Sequence, residues 1–457
     1  MTDTAANPLR IAIVGAGPAG FFAAAALLAQ AATPVQVDLF DALPAPFGLV
    51  RFGVAPDHAK IKSVTKAFEK TAADPRFRFL GNVTLGKDVS RDELLACYDR
   101  VLYTVGAQSD RKLGVEGEDL AGSFSATEFV AWYNGHPDFA ERQFDLSCSA
   151  VVIVGVGNVA MDVARILAKT PDELASTDIA AHALDALRES RIRDIYILAR
   201  RGPAQAKFTN PEVKEFGELE SAVPQVIAAE LDLDEVSQAQ ADGDKTTGRN
   251  IEILRSFIGR EALEGQRRVH FRFCVSPTAL LGSDGRMTGV RMEQNALTPN
   301  GSGDVSARGT GSFTELEAGL LFRSVGYKGT PLDGLPFDAR NGVIPNEKGR
   351  ITQGAGDAAA SGREYVAGWI KRGPSGVIGT NKPCAVESAE AMLADAANGG
   401  TAPATGNIDA LLAERGVRVV TFEDWKRLDA AEIADGAAIG RPRVKLATRA
   451  AMLARLA

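Results

Sequence analysis

Two glycine-rich loops carry the residues of this sequence that are best suited to chemistry, because each loop can hold a nucleotide diphosphate. The first loop, Gly15–Gly20, precedes a strand that ends in the acid Asp41. The second loop, Gly155–Ala160, precedes a strand that ends in Arg200 and Arg201. A carboxylate at that place suits a free ribose 2′-hydroxyl, whereas an arginine pair suits a 2′-phosphate. The sequence therefore predicts two dinucleotides, FAD at the first loop and NADPH at the second.

Short apolar runs position the first loop. Arg10–Val14 stops at the loop and predicts a buried parallel strand. Pro18–Ala32 is rich in alanine and leucine and predicts a helix, and Val35–Phe40 predicts the second strand. A strand, glycine turn, helix and strand with an acid about 20 residues after the loop make a complete mononucleotide-binding unit. Gly15 allows the tight turn, Gly17 allows the diphosphate to approach the backbone, and Gly20 allows close helix–strand packing.

A second unit of the same kind begins near the middle of the sequence. Ala150–Val154 predicts a strand, Val159–Lys169 a helix and Ile195–Ala199 a further strand. A charged, helix-like insert at Thr170–Arg193 lengthens the usual spacing. Ala160 stands where a third glycine is expected, which is an accepted variant of the loop. The arginine pair after the last strand supports NADPH, because guanidinium groups match phosphate geometry.

The segments Val101–Ala107 and Leu320–Tyr327 resemble each other, since each runs from apolar residues into a Val-Gly stop. They bracket the second unit and predict two crossings between domains. We therefore expect an α/β fold with two Rossmann-type dinucleotide-binding domains, the NADP domain being inserted into a discontinuous FAD domain. The expected bounds are 1–107 and 324–457 for the FAD domain and 108–323 for the NADP domain.

Two polar stretches lie outside these units. Gln294–Thr314 is rich in Gly, Ser, Thr and Asn, which indicates an exposed loop or a hairpin tip. Ala396–Gly406 is similar and separates the core from a C-terminal tail. The tail contains Phe422–Trp425 and a helix-like stretch at Lys445–Ala457, for which we expect a packing role.

The composition of the 457 residues limits the classes of protein and partner. Apolar residues at 45% and charged residues at 24% are typical of a soluble enzyme of two or three domains. No run of about 18 uncharged apolar residues predicts a membrane span. The net charge of −7 argues against nonspecific nucleic-acid binding. The four cysteines and four histidines lack Cys-x-x-Cys and metal-ligand spacing, so we expect no redox dithiol, no bound metal and a cytoplasmic location.

Two apolar segments that contain glycine and proline are candidates to enclose a flavin. Pro46–His58 either wraps the flavin, with its last residue near the redox centre, or forms an ordered coil under a domain edge. In Gly368–Asn381, Trp369 is either a flavin contact or a core tryptophan. Ser375 or Thr380 is predicted to start a helix whose N-terminus stabilises negative charge on the flavin.

The sequence contains four long and specific strings, Pro46–His58, Gly157–Arg165, Arg200–Pro203 and Gly368–Pro374. Together, and in this order over nearly the whole chain, they resemble the adrenodoxin-reductase-like ferredoxin–NADP⁺ reductases. The resemblance implies FAD and NADPH in two nested domains. It also implies that Asp41 stands where several relatives carry glutamate, so that its reach is shorter by one methylene.

The loop motifs and the resemblance together name residues for each cofactor. Those for FAD are Gly15, Gly17, Ala19, Gly20, Asp41, Leu49, Val83, Trp369, Gly376, Val377 and Ile378. Those for NADP are Arg111, Gly155, Gly157, Asn158, Val159, Ala160, Met161, Arg200, Arg201, Glu212 and Gly376. The resemblance implies that His58 and Glu215 lie near the contact of flavin and nicotinamide, where they would tune the flavin or relay a proton.

The predicted reaction is electron transfer by a ferredoxin–NADP⁺ oxidoreductase of the EC 1.18.1.2 type. A hydride passes from NADPH to the flavin, and single electrons pass on to a ferredoxin-type iron–sulfur protein that serves enzymes such as P450s. One alternative is another NADPH flavoenzyme, either a disulfide reductase, which the missing Cys-x-x-Cys disfavours, or a monooxygenase. A second alternative is a non-catalytic flavoprotein that acts as an interaction module.

Ferredoxins are generally acidic, so a reductase with a net negative charge needs a local basic patch to bind one. The segment 245–272 contains seven basic and three acidic residues. The segment is either a docking surface or a solvated basic face. We expect the docking residues to be Arg191, Arg193, Arg249 and Arg255.

Overall fold

The computed structural model describes residues 8–30, 33–107, 109–301, 303–352, 362–398 and 403–457. Within these ranges the strands form sheets of seven, six and three strands and a two-stranded ribbon. In chain order the strands are β1 Leu9–Val14, β2 Val35–Asp41, β3 Phe77–Gly81, β4 Arg100–Tyr103, β5 Ser109–Asp110, β6 Ser123–Ser125, β7 Ala150–Val154, β8 Asp194–Leu198, β9 Ala222–Val226, β10 Arg267–Arg272, β11 Val275–Ser283, β12 Arg286–Pro299, β13 Val305–Glu317, β14 Leu320–Arg323, β15 Tyr327–Lys328, β16 Asn346–Glu347, β17 Arg350–Ile351 and β18 Glu364–Val366.

Helices cover the faces of the two larger sheets. In chain order they are α1 Pro18–Leu28, α2 Leu49–Phe52, α3 Ala59–Lys62, α4 Thr65–Ala72, α5 Arg91–Cys97, α6 Ala126–Tyr133, α7 Asn158–Ala168, α8 Pro171–Ala175, α9 Ala181–Arg188, α10 Asn210–Phe216, α11 Glu235–Gly243, α12 Lys245–Arg255, α13 Trp369–Arg372, α14 Asn381–Ala397, α15 Ile408–Glu414, α16 Phe422–Ala437 and α17 Arg449–Arg455. Among the described residues, none of these helices combines the length and the apolar composition needed to cross a bilayer.

The seven-stranded sheet joins the two ends of the chain. Its order is β16-β17-β18-β4-β1-β2-β3, and β1 pairs in parallel with β2 and β4. Strand β1 can lie at the centre because Ile11–Val14 is apolar on both faces and buried. Helices α1 and α14 pack on one face in a shared hydrophobic cluster. We call this sheet with its helices the first domain.

The six-stranded sheet is built from the middle of the chain alone. Its order is β6-β14-β7-β8-β10-β9, and all its pairs are parallel. We call it, with its helices and the antiparallel sheet β11-β12-β13, the second domain. The connecting segments leave and return side by side, since β5 pairs with β15. The nested α/β arrangement predicted from the sequence is therefore confirmed.

Several predicted element bounds differ from the structure. Helix α1 ends at Leu28 rather than Ala32, and residues 31 and 32 lie outside the described ranges. The stretch Gln294–Thr314, predicted as an exposed loop or a hairpin tip, is the end of a long hairpin, because β12 and β13 pair across most of it. The paired residues nearest the turn are Pro299 and Val305. The helix predicted to start at Ser375 or Thr380 is α14, which begins at Asn381 with Thr380 as its N-cap.

The C-terminal tail packs against both domains. Glu432 of α16 forms an ion pair with Arg51, with an Nη1–Oε2 distance of 2.9 Å, in the buried interior. Lys445, which is also buried, lies 3.3 Å from the Asp178 carboxylate of the second domain. Asp178 also binds Lys62 of the first domain at 2.6 Å. The tail has the expected packing role, and residues 399–402 of the preceding stretch lie outside the described ranges.

Candidate functional site

The first glycine loop leaves the N-terminus of α1 open. Gly15 has a φ of +111°, and a Cβ there would lie 2.7 Å from the Thr104 carbonyl oxygen, so glycine is required. A Cβ on Gly17 would meet no atom of the described residues within 4 Å. No side chain in the described part of the chain caps α1, so its first N–H groups can bind an anion. These features fit a dinucleotide diphosphate.

Asp41 lies beside this loop and helps to hold it. Its carboxylate accepts hydrogen bonds from the backbone N–H groups of Ala16 at 2.8 Å and Leu43 at 2.9 Å. Burial raises the pKa of Asp41 to about 6, although the hydrogen bonds from Leu43 and Ala16 act in the opposite direction. A carboxylate has about four acceptor sites, so two backbone bonds leave room for ribose hydroxyl groups.

Both apolar segments converge on the first loop. The Phe47 N–H donates to the Ala16 carbonyl at 2.8 Å, and a Cβ on Gly48 would lie 2.9 Å from the Gly17 Cα. From the late segment, a Cβ on Gly368 would lie 2.7 Å from the Ala19 Cβ. The sequence-predicted loop of Pro46–His58 is thus wrapped over the nucleotide loop and contains the short helix α2.

Trp369 starts the short helix α13 in the late segment. Its ring stacks on Tyr327, with centroids 5.8 Å apart and planes 16° apart. Its indole Nε1 is buried and has no hydrogen-bond acceptor among the described residues. An orphaned donor beside the nucleotide loop fits a cofactor that brings the acceptor. The remaining FAD candidates differ in exposure: Val83 is buried, Ile378 is half-buried, and Leu49, Gly376 and Val377 are exposed.

The second glycine loop repeats the geometry of the first. A Cβ on Gly155, where φ is +129°, would collide with the Ser324 carbonyl, whereas a Cβ on Gly157 would meet none of the described atoms within 4 Å. Among the residues that the structure describes, no side chain caps α7, so its N-terminus also fits a diphosphate. The first residues of α7 are the predicted NADP contacts, and their surroundings differ. The Asn158 side chain accepts a hydrogen bond from the Thr209 N–H at 2.9 Å, Val159 is half-buried, and Ala160 and Met161 lie in the hydrophobic core.

The arginine pair follows β8 as predicted. The Arg200 side chain is exposed, and its carbonyl accepts a hydrogen bond from the Asn295 side chain at 2.9 Å. The Arg201 guanidinium forms an ion pair with Asp304, with an Nη1–Oδ2 distance of 2.7 Å. Asn295 and Asp304 were not predicted as site residues, because the stretch that contains them was predicted only as an exposed loop or a hairpin tip.

A cleft of about 520 Å³ lies where the chain returns to the first domain. Its lining includes the cations Arg111, Lys371 and Arg372 and the ring of Tyr327. The backbone N–H of Arg111 donates to the Gly326 carbonyl at 3.0 Å, which ties the two connecting segments together. The cleft places Arg111, a predicted NADP contact, beside the segment predicted to hold FAD.

His58 and Glu215 come together from different domains. The His58 Nε2 lies 3.3 Å from the Glu215 carboxylate, and its Nδ1 lies 3.8 Å from Asp162 and 4.0 Å from Glu212. Arg165 binds the same acids, at 3.1 Å from Glu212 and 3.3 Å from Glu215. The family resemblance implied that His58 and Glu215 share a site, but Arg165 was not identified as their partner.

This charged cluster shifts the pKa values of its members. Burial lowers the pKa of His58, but its hydrogen bond to Glu215 and the nearby Asp162 outweigh burial and raise the pKa above 6.5. Burial and the nearby Asp162 raise the pKa of Glu212 to about 7. The pKa of Glu215 is lowered, because the His58 hydrogen bond and Arg165 outweigh burial. The cluster can therefore hold a proton near neutral pH.

The same cluster brings together ligand-type atoms of His58, Glu212 and Glu215, all within 4.8 Å of one another. The Arg165 guanidinium already bonds to both glutamates and supplies the positive charge that a metal ion would bring. The geometry therefore favours a hydrogen-bonded network of side chains over a metal site.

The basic segment 245–272 does not form one continuous face. It splits into helix α12 and strand β10, and the β10 arginines are bound within the second domain: Arg267 to backbone carbonyls, Arg268 to Asp194 and Arg272 to Glu230. On α12, Arg249 pairs with Glu252 at 2.7 Å. In the described part of the chain, the exposed side chains without an ion-pair partner include those of Arg191, Arg193 and Arg255.

Known proteins resemble this chain in sequence. The family model of pyridine nucleotide-disulphide oxidoreductases matches residues 9–202. The NADPH-ferredoxin reductase FprA of Mycobacterium tuberculosis (strain ATCC 25618 / H37Rv) is 48% identical over 459 residues, with 98% of this chain and 99% of that protein covered. The mitochondrial NADPH:adrenodoxin oxidoreductase of Arabidopsis thaliana is 41% identical, with 99% and 96% covered.

A solved structure of the Mycobacterium tuberculosis relative also resembles this chain. The structure of Mycobacterium tuberculosis FprA in complex with NADPH superposes with a TM-score of 0.93 at 47% identity, covering 98% of this chain and 99% of that one. The match covers nearly the whole length of both chains. The chain therefore belongs to the adrenodoxin-reductase-like ferredoxin–NADP⁺ reductase family, as the four strings in its sequence predicted.

Proposed function

We propose that the protein is a ferredoxin–NADP⁺ oxidoreductase of the EC 1.18.1.2 type, which oxidises NADPH and reduces a ferredoxin-type iron–sulfur protein through bound FAD. One observation carries the proposal. Two open glycine loops, one flanked by an acid and the other by an arginine pair, lie in domains that meet at His58 and Glu215. The names of the relatives support the same reaction.

For the domains we propose the bounds 1–107 with 324–457 for FAD and 108–323 for NADP. The separate sheets support this division. We assign the FAD contacts and NADP contacts to the two residue sets named from the sequence. The open N-termini of α1 and α7 support the diphosphate positions. The buried Ala160 and Met161 would act by shaping the start of α7 rather than through their side chains.

Bound FAD would supply the redox chemistry, because a flavin can accept a hydride from NADPH and pass the two electrons on one at a time. The chain's own residues bind and orient the nucleotides. The free N–H groups of α1 and α7 hold the two diphosphates. Trp369 offers its indole N–H, and His58 holds a proton at Nε2 against Glu215. The folded segment Pro46–His58 packs against the first loop through Phe47 and Gly48.

For the partner we propose an acidic ferredoxin that feeds enzymes such as P450s, docked near Arg191, Arg193, Arg249 and Arg255. The exposure of these side chains supports docking by charge. For the compartment we propose the cytoplasm, since the four cysteines are free thiols.

The test is anaerobic reduction of the purified yellow holoprotein by NADPH, followed by mixing with a ferredoxin and cytochrome c. We expect NADPH to bleach the flavin absorption and ferredoxin to restore it with reduction of cytochrome c. A protein that keeps its yellow colour with NADPH would be a non-catalytic flavoprotein. A protein that needs oxygen and an organic substrate to turn over would be a monooxygenase.

A further inference from the structure

The long hairpin of β12 and β13 holds the arginine pair by its backbone. The Asn295 side chain, which is buried, donates to the Arg200 carbonyl at 2.9 Å. The Cys274 N–H donates to the Arg201 carbonyl at 3.1 Å, and the Asn295 N–H donates to the Cys274 carbonyl at 2.7 Å. The turn after β8 is therefore anchored at two consecutive carbonyls: Asn295 of the hairpin binds that of Arg200 directly and supports that of Arg201 through Cys274.

The hairpin tip also holds the Arg201 side chain. The Nη1 of Arg201 donates to the Asp304 carboxylate at 2.7 Å and to the Val305 carbonyl at 3.3 Å. A guanidinium has five N–H donors, of which Nη1 carries two. In the part of the chain that the structure describes, Nε and Nη2 of Arg201 have no acceptor. That free edge is the pair of donors that binds a phosphate in a bidentate manner.

Asp304 is itself fixed by a closed circuit of hydrogen bonds. Its Oδ1 accepts from Gln240 at 3.1 Å, and Gln240 accepts from Gln205 at 2.9 Å. Gln205, which is buried, accepts from the Gly202 N–H at 3.0 Å. Because Gly202 directly follows Arg201, the circuit starts and ends at the same turn. The carboxylate is thus aimed at Arg201 by groups that belong to the arginine turn.

We propose that Asp304 is a specificity-determining positioning residue for NADPH, which orients Arg201 so that its free Nε–Nη2 edge faces the 2′-phosphate. The inference rests on the proposed role of the arginine pair in binding that phosphate. An exposed ion pair adds little to stability, so the contribution of Asp304 is the orientation it imposes. Arg200, whose exposed side chain has no ion-pair partner among the described residues, supplies the unbalanced positive charge.

The test measures calorimetric binding of two nucleotide fragments to the FAD holoenzyme: 2′,5′-ADP, which carries the 2′-phosphate, and 5′-AMP, which lacks it. We expect Asp304→Ala to weaken 2′,5′-ADP by about 3- to 10-fold and to leave 5′-AMP unchanged. Asp304→Asn keeps an acceptor for Nη1 and should restore most of the affinity. With NADPH, Asp304→Ala should raise KM while kcat stays constant.

Two further variants make the result specific. Glu315→Ala removes the partner of Arg291, an ion pair of 2.9 Å on the same hairpin, and should leave both fragments unaffected. Gln240→Leu breaks the circuit and should weaken 2′,5′-ADP in the same direction as Asp304→Ala.

The outcomes separate this inference from the function on which it rests. Tighter or unchanged binding of 2′,5′-ADP by Asp304→Ala would overturn the positioning role, as would an equal loss for both fragments. Arg201→Ala tests the underlying assignment. If Arg201→Ala weakens 2′,5′-ADP and Asp304→Ala does not, only the role of Asp304 is wrong. If neither variant changes 2′,5′-ADP binding, the 2′-phosphate is held elsewhere and both proposals are wrong.

Discussion

Arg165 of the second domain forms a two-point ion pair with Asp57 of the first, with Nε–Oδ2 and Nη2–Oδ1 distances of 2.8 and 3.1 Å. Both side chains are buried, at 1% and 7% exposure. Lys169 adds a second contact to the same carboxylate at 2.7 Å. Burial alone would raise the pKa of Asp57, but Arg165 and Lys169 hold that pKa below its usual value. The pair joins the two domains directly beside His58.

Removing this carboxylate should destabilise the protein. Asp57→Ala breaks the two-point ion pair but leaves Arg165 with Asp162, Glu212 and Glu215, so we expect the free energy of unfolding to fall by about 1.5–3 kcal/mol. The measurement is urea denaturation of the holoenzyme at neutral pH. The matched control is Asp119→Ala, which breaks the exposed pair with Lys112 and should change stability by less than about 0.5 kcal/mol. Similar losses for both variants would contradict the prediction.

His58 should be the histidine that stays protonated to the highest pH. The pKa of His136 is lowered by burial to about 4, and burial also lowers those of His182 and His270. The pKa of His58 is raised, so the stability from its protonated form is complete below pH 6.5 and is lost as pH rises through the folded value. NMR titration of the imidazole C–H signals measures this order directly.

The partner of His58 can be tested in the same titration. Glu215→Gln removes the charged acceptor at 3.3 Å, so burial should dominate and the pKa of His58 should fall. Glu218→Gln, which changes an exposed glutamate paired with Lys214, should leave the titration unchanged. A His58 titration that does not respond to Glu215→Gln would show that the hydrogen bond is not formed in solution.

The arginine pair should decide between NADPH and NADH. Replacing Arg200 and Arg201 by alanine removes charge-assisted hydrogen bonds to the 2′-phosphate, so KM for NADPH should rise by about 10- to 100-fold. NADH lacks the phosphate, and its KM should change little. Steady-state dye reduction with both nucleotides measures the ratio. Equal effects on both nucleotides would refute the 2′-phosphate assignment.

Charge reversal should weaken docking of the ferredoxin. For Arg249→Glu with Arg255→Glu, we expect kcat/KM for an acidic ferredoxin to fall by about 10-fold at low salt and by less at high salt. Ferricyanide reduction, which needs no docking surface, should stay constant. The control is Arg291→Glu. Arg291 is exposed and ion-paired like Arg249, but it lies on the hairpin of β12 and β13 rather than on α12. An unchanged KM for ferredoxin would exclude α12 from the interface.

The sequence predicted those parts of the fold that depend on local pattern. Strands β1 and β7 are continuous apolar runs that end at glycine loops, so both could be placed to within a residue. Of the hairpin β12–β13 only a possible tip was predicted, because most of β13 is exposed and its glycines and serines resemble those of a loop. Long-range pairs such as Asp57 with Arg165 were equally hidden, since nothing local shows which buried charges meet. His58 and Glu215 were paired only through the family resemblance.

The nested topology has a consequence for how the protein is made. Strand β18 pairs with β4, and α14 packs on α1, yet both follow the whole second domain in the chain. A ribosome that has completed β4 has therefore produced a first sheet without its later strands. The second domain, built from one continuous stretch, can fold while translation proceeds. The late segment at Gly368, which lies against Ala19 of the first glycine loop, is synthesised only after the second domain, so the surroundings of that loop are completed late in translation.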